Sequence, residues 1–141
     1  ADAPLRSKTF TRDRLGRVRA AVSSVEQAFG ITIELVQSAD IALDAPIEAL
    51  VDASREAMTN AAKHAGVGEV NVLVRVGPQE VTVFVRDRGA GFDPGSVPPD
   101  RHGLRDSITA RLERVGGRVS IDTQPGAGTD IALTVPRQSA A

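Results

Sequence analysis

Residues 56–64 read Glu-Ala-Met-Thr-Asn-Ala-Ala-Lys-His, the second half of a helix whose start is predicted near Pro46. At about 100° per residue, Ile47, Leu50, Val51, Ser54, Ala57, Met58, Ala61 and Ala65 share one broad face. Glu56, Asn60 and Lys63 fall on the opposite face, within roughly 60° of one another. One face can pack a core. The other aligns a carboxylate, an amide and an ammonium along two turns. By itself such a stripe also describes a solvated helix face, so its meaning depends on what the neighbouring segments bring to it.

The chain has 141 residues, enough for one domain with its own core. Its net charge of −1 gives no basic footprint for nucleic acid, and with no Trp or Tyr and only four Phe it is poor in side chains for a single-strand stacking platform. Without Cys it has neither a disulfide framework nor a thiolate metal site. No apolar run is long enough to span a bilayer, and no signal peptide is visible. A first residue other than Met predicts a piece of a longer chain.

Outward from the central helix, the pattern predicts alternating helices and strands. Residues 1–10 read as an arm or linker, 11–136 as one domain and 137–141 as a disordered tail. Thr11 suits a helix cap and Phe10 with Leu15 a hydrophobic staple, followed by a stripe of Leu15, Val18, Val22, Val25 and Phe29 that ends at Gly30. Arg6, Lys8, Arg12, Arg14, Arg17 and Arg19 make this end basic, as a solvated face or a dock for an acidic neighbour. Ile31–Val36 reads as a strand, and Asp44 as the cap of the central helix, which stops at Gly66. Val70, Val72, Val74 and Val76 alternate with polar or outward residues, as do Val81, Val83 and Val85 across a turn at 77–79. A Gly/Pro-rich loop follows between Gly89 and Pro99. A helix from about Gly103 to Val115 then turns inward either Leu104, Ile108 and Leu112 or Ser107, Arg111 and Val115. After Gly116-Gly117, Val119 and Ile121 start a strand that returns through 125–128 as Ile131, Leu133 and Val135. The expected fold is an α/β two-layer sandwich, a mixed, largely antiparallel sheet with helices on one face.

Strand parity locates the chemistry. Residues two apart share a face. The face of Val81, Val83 and Val85 continues to Asp87, and that of Val135, Leu133 and Ile131 runs back to Thr129. Two polar side chains at strand ends are therefore expected on the helix side. Asp87 can cap a turn there, and Thr129 can be ordinary strand composition. Gly89 and Gly91, just past Asp87, allow close backbone approach by a flat ligand. A carboxylate accepts from an exocyclic amine, which adenine has and guanine replaces by a carbonyl at the equivalent place. Asp87 therefore favours adenine if a purine binds. His102-Gly103-Leu104 opens a helix whose free amides suit phosphate oxygens, although it also reads as a flexible helix start, and His102 is either a phosphate contact or an ordinary loop histidine. Asn60 is a plausible Mg²⁺ ligand, Lys63 can neutralise phosphate charge, and Glu56 can hold a proton acceptor or a metal-bound water.

The order of these parts resembles the ATP-binding catalytic domain of two-component sensor histidine kinases, in the wider group that includes DNA gyrase B, Hsp90 and MutL. The motifs are an N box (Glu56 to Ala65), a G1 box (Asp87 to Asp93), a G2 region (Gly103, Leu104) and a G3 box (Gly126 to Thr129), and the resemblance covers about residues 30–136. Lys63-His64-Ala65, the short lid and the run from Gly103 through Gly117 look most like the NarL-partnered, DesK/NarX-like kinases. The resemblance implies a Bergerat fold that binds ATP with Mg²⁺ on Asn60. It implies catalytic roles for Glu56, Asn60 and Lys63. It also implies nucleotide binding by Asn60, Lys63, His64, Asp87, Gly89, Gly91, Phe92, His102, Gly103, Leu104, Gly128 and Thr129. The G2 region has one glycine where many relatives have two or three. Neither His64 nor His102 has the setting of a phosphoacceptor. The implied partners are therefore a dimeric phosphoacceptor domain of the parent kinase and, through it, a NarL-like response regulator. The resemblance also implies a monomeric, cytoplasmic domain whose parent can be membrane-anchored. A gyrase-like ATPase, an anti-sigma-type serine kinase and a nucleotide-binding module without turnover are the alternatives.

Overall fold

Helices cover one face of a five-stranded sheet in the computed structural model, which describes residues 17–38, 44–64, 69–88, 99–123 and 128–137. His64, Glu69 and residues 99–105 are described by backbone alone. The elements are α1 (Arg17–Phe29), β1 (Thr32–Gln37), α2 (Ala45–His64), β2 (Glu69–Val76), β3 (Glu80–Asp87), α3 (Pro99–Glu113), β4 (Arg118–Thr123) and β5 (Thr129–Pro136). The strand order is β1-β2-β3-β5-β4. β1 runs parallel to β2, as a crossover through α2 requires, and the other pairs are antiparallel. The fold is the mixed, largely antiparallel two-layer sandwich expected from the sequence.

Alternation decides which sheet face is buried. Val70, Val72 and Val74 of β2, Val81, Val83 and Val85 of β3, and Ile131, Leu133 and Val135 of β5 meet the helices. The opposite face carries polar cross-strand pairs instead. Thr82 meets Thr134 at 3.0 Å, and Arg86 meets Asp130 at 2.7 Å. The hydrogen bond to Asp130 holds the exposed Arg86 guanidinium above its ordinary pKa. Arg75 lies over the Phe84 ring, 5.2 Å from its centroid.

The central helix α2 rests on β3 and β5 between α1 and α3. Ile47, Leu50, Val51, Ser54, Ala57, Met58 and Ala61 are all buried, as the helical wheel predicts, and Ala53 joins them, while Ala65 of the expected face lies outside the described residues. Ser54 tolerates burial because its hydroxyl donates to the Leu50 carbonyl at 2.7 Å. Asp44 caps the helix, its Oδ1 accepting the Ile47 N–H at 2.9 Å. Asp44→Ala is expected to cost roughly 0.5–2 kcal/mol. The urea midpoint should fall with an unchanged slope.

α1 buries Val18, Ala21, Val22 and Val25, but Phe29, expected on the same stripe, is 37% exposed. It is the last residue of the helix, where the chain leaves the helix layer for β1. On α3, Ile108 and Leu112 are the buried pair, so the first of the two expected stripes packs the core. α3 begins at Pro99 rather than near Gly103. Proline's fixed φ suits a first helical turn and extends the helix by one turn upstream. The Thr11 cap, the Phe10–Leu15 staple, the basic residues before Arg17, the stop at Gly66 and the 125–127 turn lie outside the described residues. Among the described residues, no helix is long and apolar enough to cross a membrane.

Candidate functional site

One row of paired residues crosses all five strands: Ile33, Val70, Asp87, Thr129 and Thr123. All five are buried on the helix side. The row starts apolar and turns polar where β3, β5 and β4 meet. Asp87 is the last residue of β3, Thr129 the first of β5 and Thr123 the last of β4. The polar cluster thus sits at one end of the sandwich, as strand parity predicts for Asp87 and Thr129.

Hydrogen bonds and backbone shape fix this cluster. Thr123 Oγ1 donates to the Gly128 carbonyl at 3.1 Å, and its single proton thereby spent, it accepts from Thr129 Oγ1 at 2.9 Å. Gly128 holds a φ of +77°, and a Cβ there would run into the Asp87 carbonyl. Only glycine lets β5 start this close to the end of β3.

The chain brings the α2 stripe to the same end. Four residues separate His64 from β2, whose Val70 pairs with Asp87. The last turns of α2, with Asn60 and Lys63, are therefore led toward the strand ends that this row crosses. Lys63 is exposed and Asn60 half-buried. Asn60 Oδ1 is buried and has no hydrogen-bond partner among the described residues. Leaving a buried carbonyl oxygen unpaired costs about 1–3 kcal/mol, so it calls for a partner beyond these residues. A hard cation fits that oxygen. Among the described residues, no three His, Asp or Glu side chains converge. A metal here would then draw its other ligands from water and a substrate, as Mg²⁺ readily does.

Glu56 is not a solvated end of the stripe. Its Oε1 is 2.7 Å from Arg111 Nη1, and its Oε2 accepts from Ser107 Oγ at 3.3 Å, both on α3. The stripe that α3 does not bury in the core thus meets α2.

The remaining expected residues divide in two. Gly103 lies one turn inside α3, not at a helix start, so its N–H is not among the free terminal amides. His64, His102 and Leu104 are placed by backbone only, at the end of α2 and in the first turns of α3. Gly89, Gly91 and Phe92 lie outside the described residues. Thr123 was not singled out from sequence, although it continues the face of Val119 and Ile121 just as Asp87 continues that of Val85.

Comparison with known proteins agrees with this architecture. Two solved structures share the fold at 22% identity. The histidine kinase domain of a blue-light activated histidine kinase from Erythrobacter litoralis has a TM-score of 0.68, over 86% of this chain and 58% of that one. The mycobacterial sensor histidine kinase MprB has a TM-score of 0.66, over 84% of this chain and 92% of that one. In sequence, the chain is 35% identical over 138 residues to an uncharacterized sensor-like histidine kinase of Chloroflexus aurantiacus, covering 94% of this chain and 22% of the relative. It is 34% identical over 96 residues to the nitrate/nitrite sensor protein NarQ of Escherichia coli, covering 67% of this chain and 17% of the relative. The chain thus spans about a fifth of the length of these curated relatives. The family described as histidine kinase-, DNA gyrase B- and HSP90-like ATPase matches residues 46–139, from the start of α2 past the end of β5, and the chain belongs to it.

Proposed function

We propose that this chain is the ATP-binding catalytic domain of a sensor histidine kinase. It binds Mg-ATP and presents the γ-phosphoryl to a histidine on a separate, dimeric phosphoacceptor domain, for relay to a response regulator. The observation that carries this is the buried Asp87–Thr129 pair at the end of the sheet, supported by the buried Asn60 oxygen, unpartnered among the described residues, on the helix that leads into β2. Asp87 accepts the adenine amine, and Thr129 lies beside the base. Gly128 keeps β5 close enough to β3 for both, and Gly89, Gly91 and Phe92 border the base on the adjoining stretch. Lys63, with His64, His102 and Leu104, serves the phosphates, and Gly103, which has no Cβ, lets them approach the helix. Asn60 would hold Mg²⁺, which neutralises phosphate charge when bound. Phosphoryl transfer needs mainly positioning and charge neutralisation, which suits a site of amide, ammonium and backbone groups.

The match to NarQ and the run Gly103–Gly117 support a NarX-like subclass and a NarL-like regulator. The domain acts as a cytoplasmic monomer, of a parent that can be membrane-anchored.

The test supplies γ-labelled ATP and the parent's phosphoacceptor domain. Acid-labile, base-stable label on that domain is expected. Phosphate release by the chain alone, with no label transferred, would point instead to a gyrase-like ATPase, and label on a partner serine to a serine kinase. Asn60→Ala is expected to abolish the gain in ATP affinity that Mg²⁺ brings. Calorimetry with Mg²⁺ and with chelator measures it, and an equal loss in both conditions would remove Asn60 as the ligand.

A further inference from the structure

The ion pair between Glu56 and Arg111 is the least exposed of the described ones. Its side chains are 23% and 34% exposed, whereas those of Arg86–Asp130, Arg118–Glu80 and Arg17–Glu48 lie between 37% and 67%. Both Glu56 oxygens are engaged, by Arg111 Nη1 at 2.7 Å and by Ser107 Oγ at 3.3 Å. Ser107 and Arg111 are four residues apart and so share one face of α3, beside the Ile108–Leu112 stripe that enters the core. Two independent contacts therefore set α3: an apolar stripe that fixes its depth, and a polar clasp that fixes its rotation and its height along α2. The clasp lies four residues, about 6 Å of helix, from Asn60. Upstream of it, the same helix carries Gly103, Leu104 and the end of the 89–98 connection from Asp87.

We propose that Arg111, together with Ser107, is a positioning residue for the nucleotide site. It uses the Glu56 carboxylate as its anchor, so Glu56 holds the two sides of the phosphate subsite in register and does not act as a general base. This rests on the ATP site proposed above. A net charge at Glu56 is needed only as the counterpart of Arg111, so the pair is interchangeable in sign. The adenine end, built on β3 and β5, does not depend on it.

The test measures ATP and adenosine affinity, with Mg²⁺, for the full chain, Arg111→Glu, Glu56→Arg and the double exchange. Each single variant is expected to weaken ATP at least tenfold and adenosine less than twofold. The double exchange should return ATP affinity to within threefold of the original. Transfer to the phosphoacceptor domain at saturating ATP should return with it. ATP affinity within twofold in the single variants, or no recovery in the double exchange, overturns the clasp. Recovered affinity without recovered transfer also overturns it, because the carboxylate itself would then react. Loss of adenosine binding equal to the loss of ATP would mark a general structural role and overturn it too. An unsubstituted chain that binds neither ligand sinks the ATP site along with the clasp, whereas one that binds both with unaffected variants sinks the clasp alone.

Discussion

Asp87→Asn is expected to weaken ATP binding by roughly 1.5–3 kcal/mol, the range for one hydrogen bond to a charged group. That corresponds to an increase of about ten- to 150-fold in Kd. Asparagine keeps the shape of the buried side chain and so keeps the strand end intact, but it replaces an acceptor-only carboxylate by an amide. The loss should be specific to adenine. GTP, whose base presents a carbonyl where adenine presents its amine, should bind poorly to the unsubstituted chain and gain relative to ATP in the variant. Calorimetric titration with both nucleotides measures this. An unchanged ATP affinity, with an unchanged melting temperature, would remove Asp87 from the adenine site.

Gly128→Ala is expected to combine two penalties. A φ of +77° is costly for any residue with a Cβ, about 1–2 kcal/mol. The added methyl would also run into the Asp87 carbonyl and crowd Arg88 Cα, so the ends of β3 and β5 must separate. Overpacking of this kind adds about 1–3 kcal/mol. Gly116 provides the matched control. Its φ is +78°, but its Cβ would meet only Pro136 Cγ at an ordinary 3.7 Å. Gly116→Ala should therefore lose only the backbone part of the stability and leave ATP affinity alone. Gly128→Ala should lose roughly 2–5 kcal/mol and ATP binding as well, because Asp87 and Thr129 move apart. Urea unfolding of the two variants, side by side, separates the terms. Equal losses in both would mean that the close approach of β5 to β3 does not matter.

Much of this site was legible in the sequence because it depends on periodicity. Period-two alternation carried Val85 to Asp87 and Ile131 to Thr129, and both side chains are buried on the helix side. The wheel of α2 separated its core face from the stripe of Glu56, Asn60 and Lys63, and the buried set matches. What local patterns could not supply was pairing across distance. Ser107 and Arg111 were available as an inward stripe of α3, but nothing near them in sequence names Glu56, which is 51 residues from Ser107. Thr123 gives little signal in sequence because β4 alternates weakly, with Val119 and Ile121 only partly buried at the sheet edge. Gly103 resembles a helix boundary in sequence, but α3 starts at Pro99, the residue that suits a first turn.

The most direct measurement of the ATP site is competition between ATP and GTP, in the presence of Mg²⁺, for the unsubstituted chain and for Asp87→Asn. Saturable one-to-one ATP binding, a clear preference over GTP, and loss of most of that preference in Asp87→Asn are predicted. No ATP binding, or a preference for ATP that survives in Asp87→Asn, would contradict an adenine site built on the Asp87–Thr129 row.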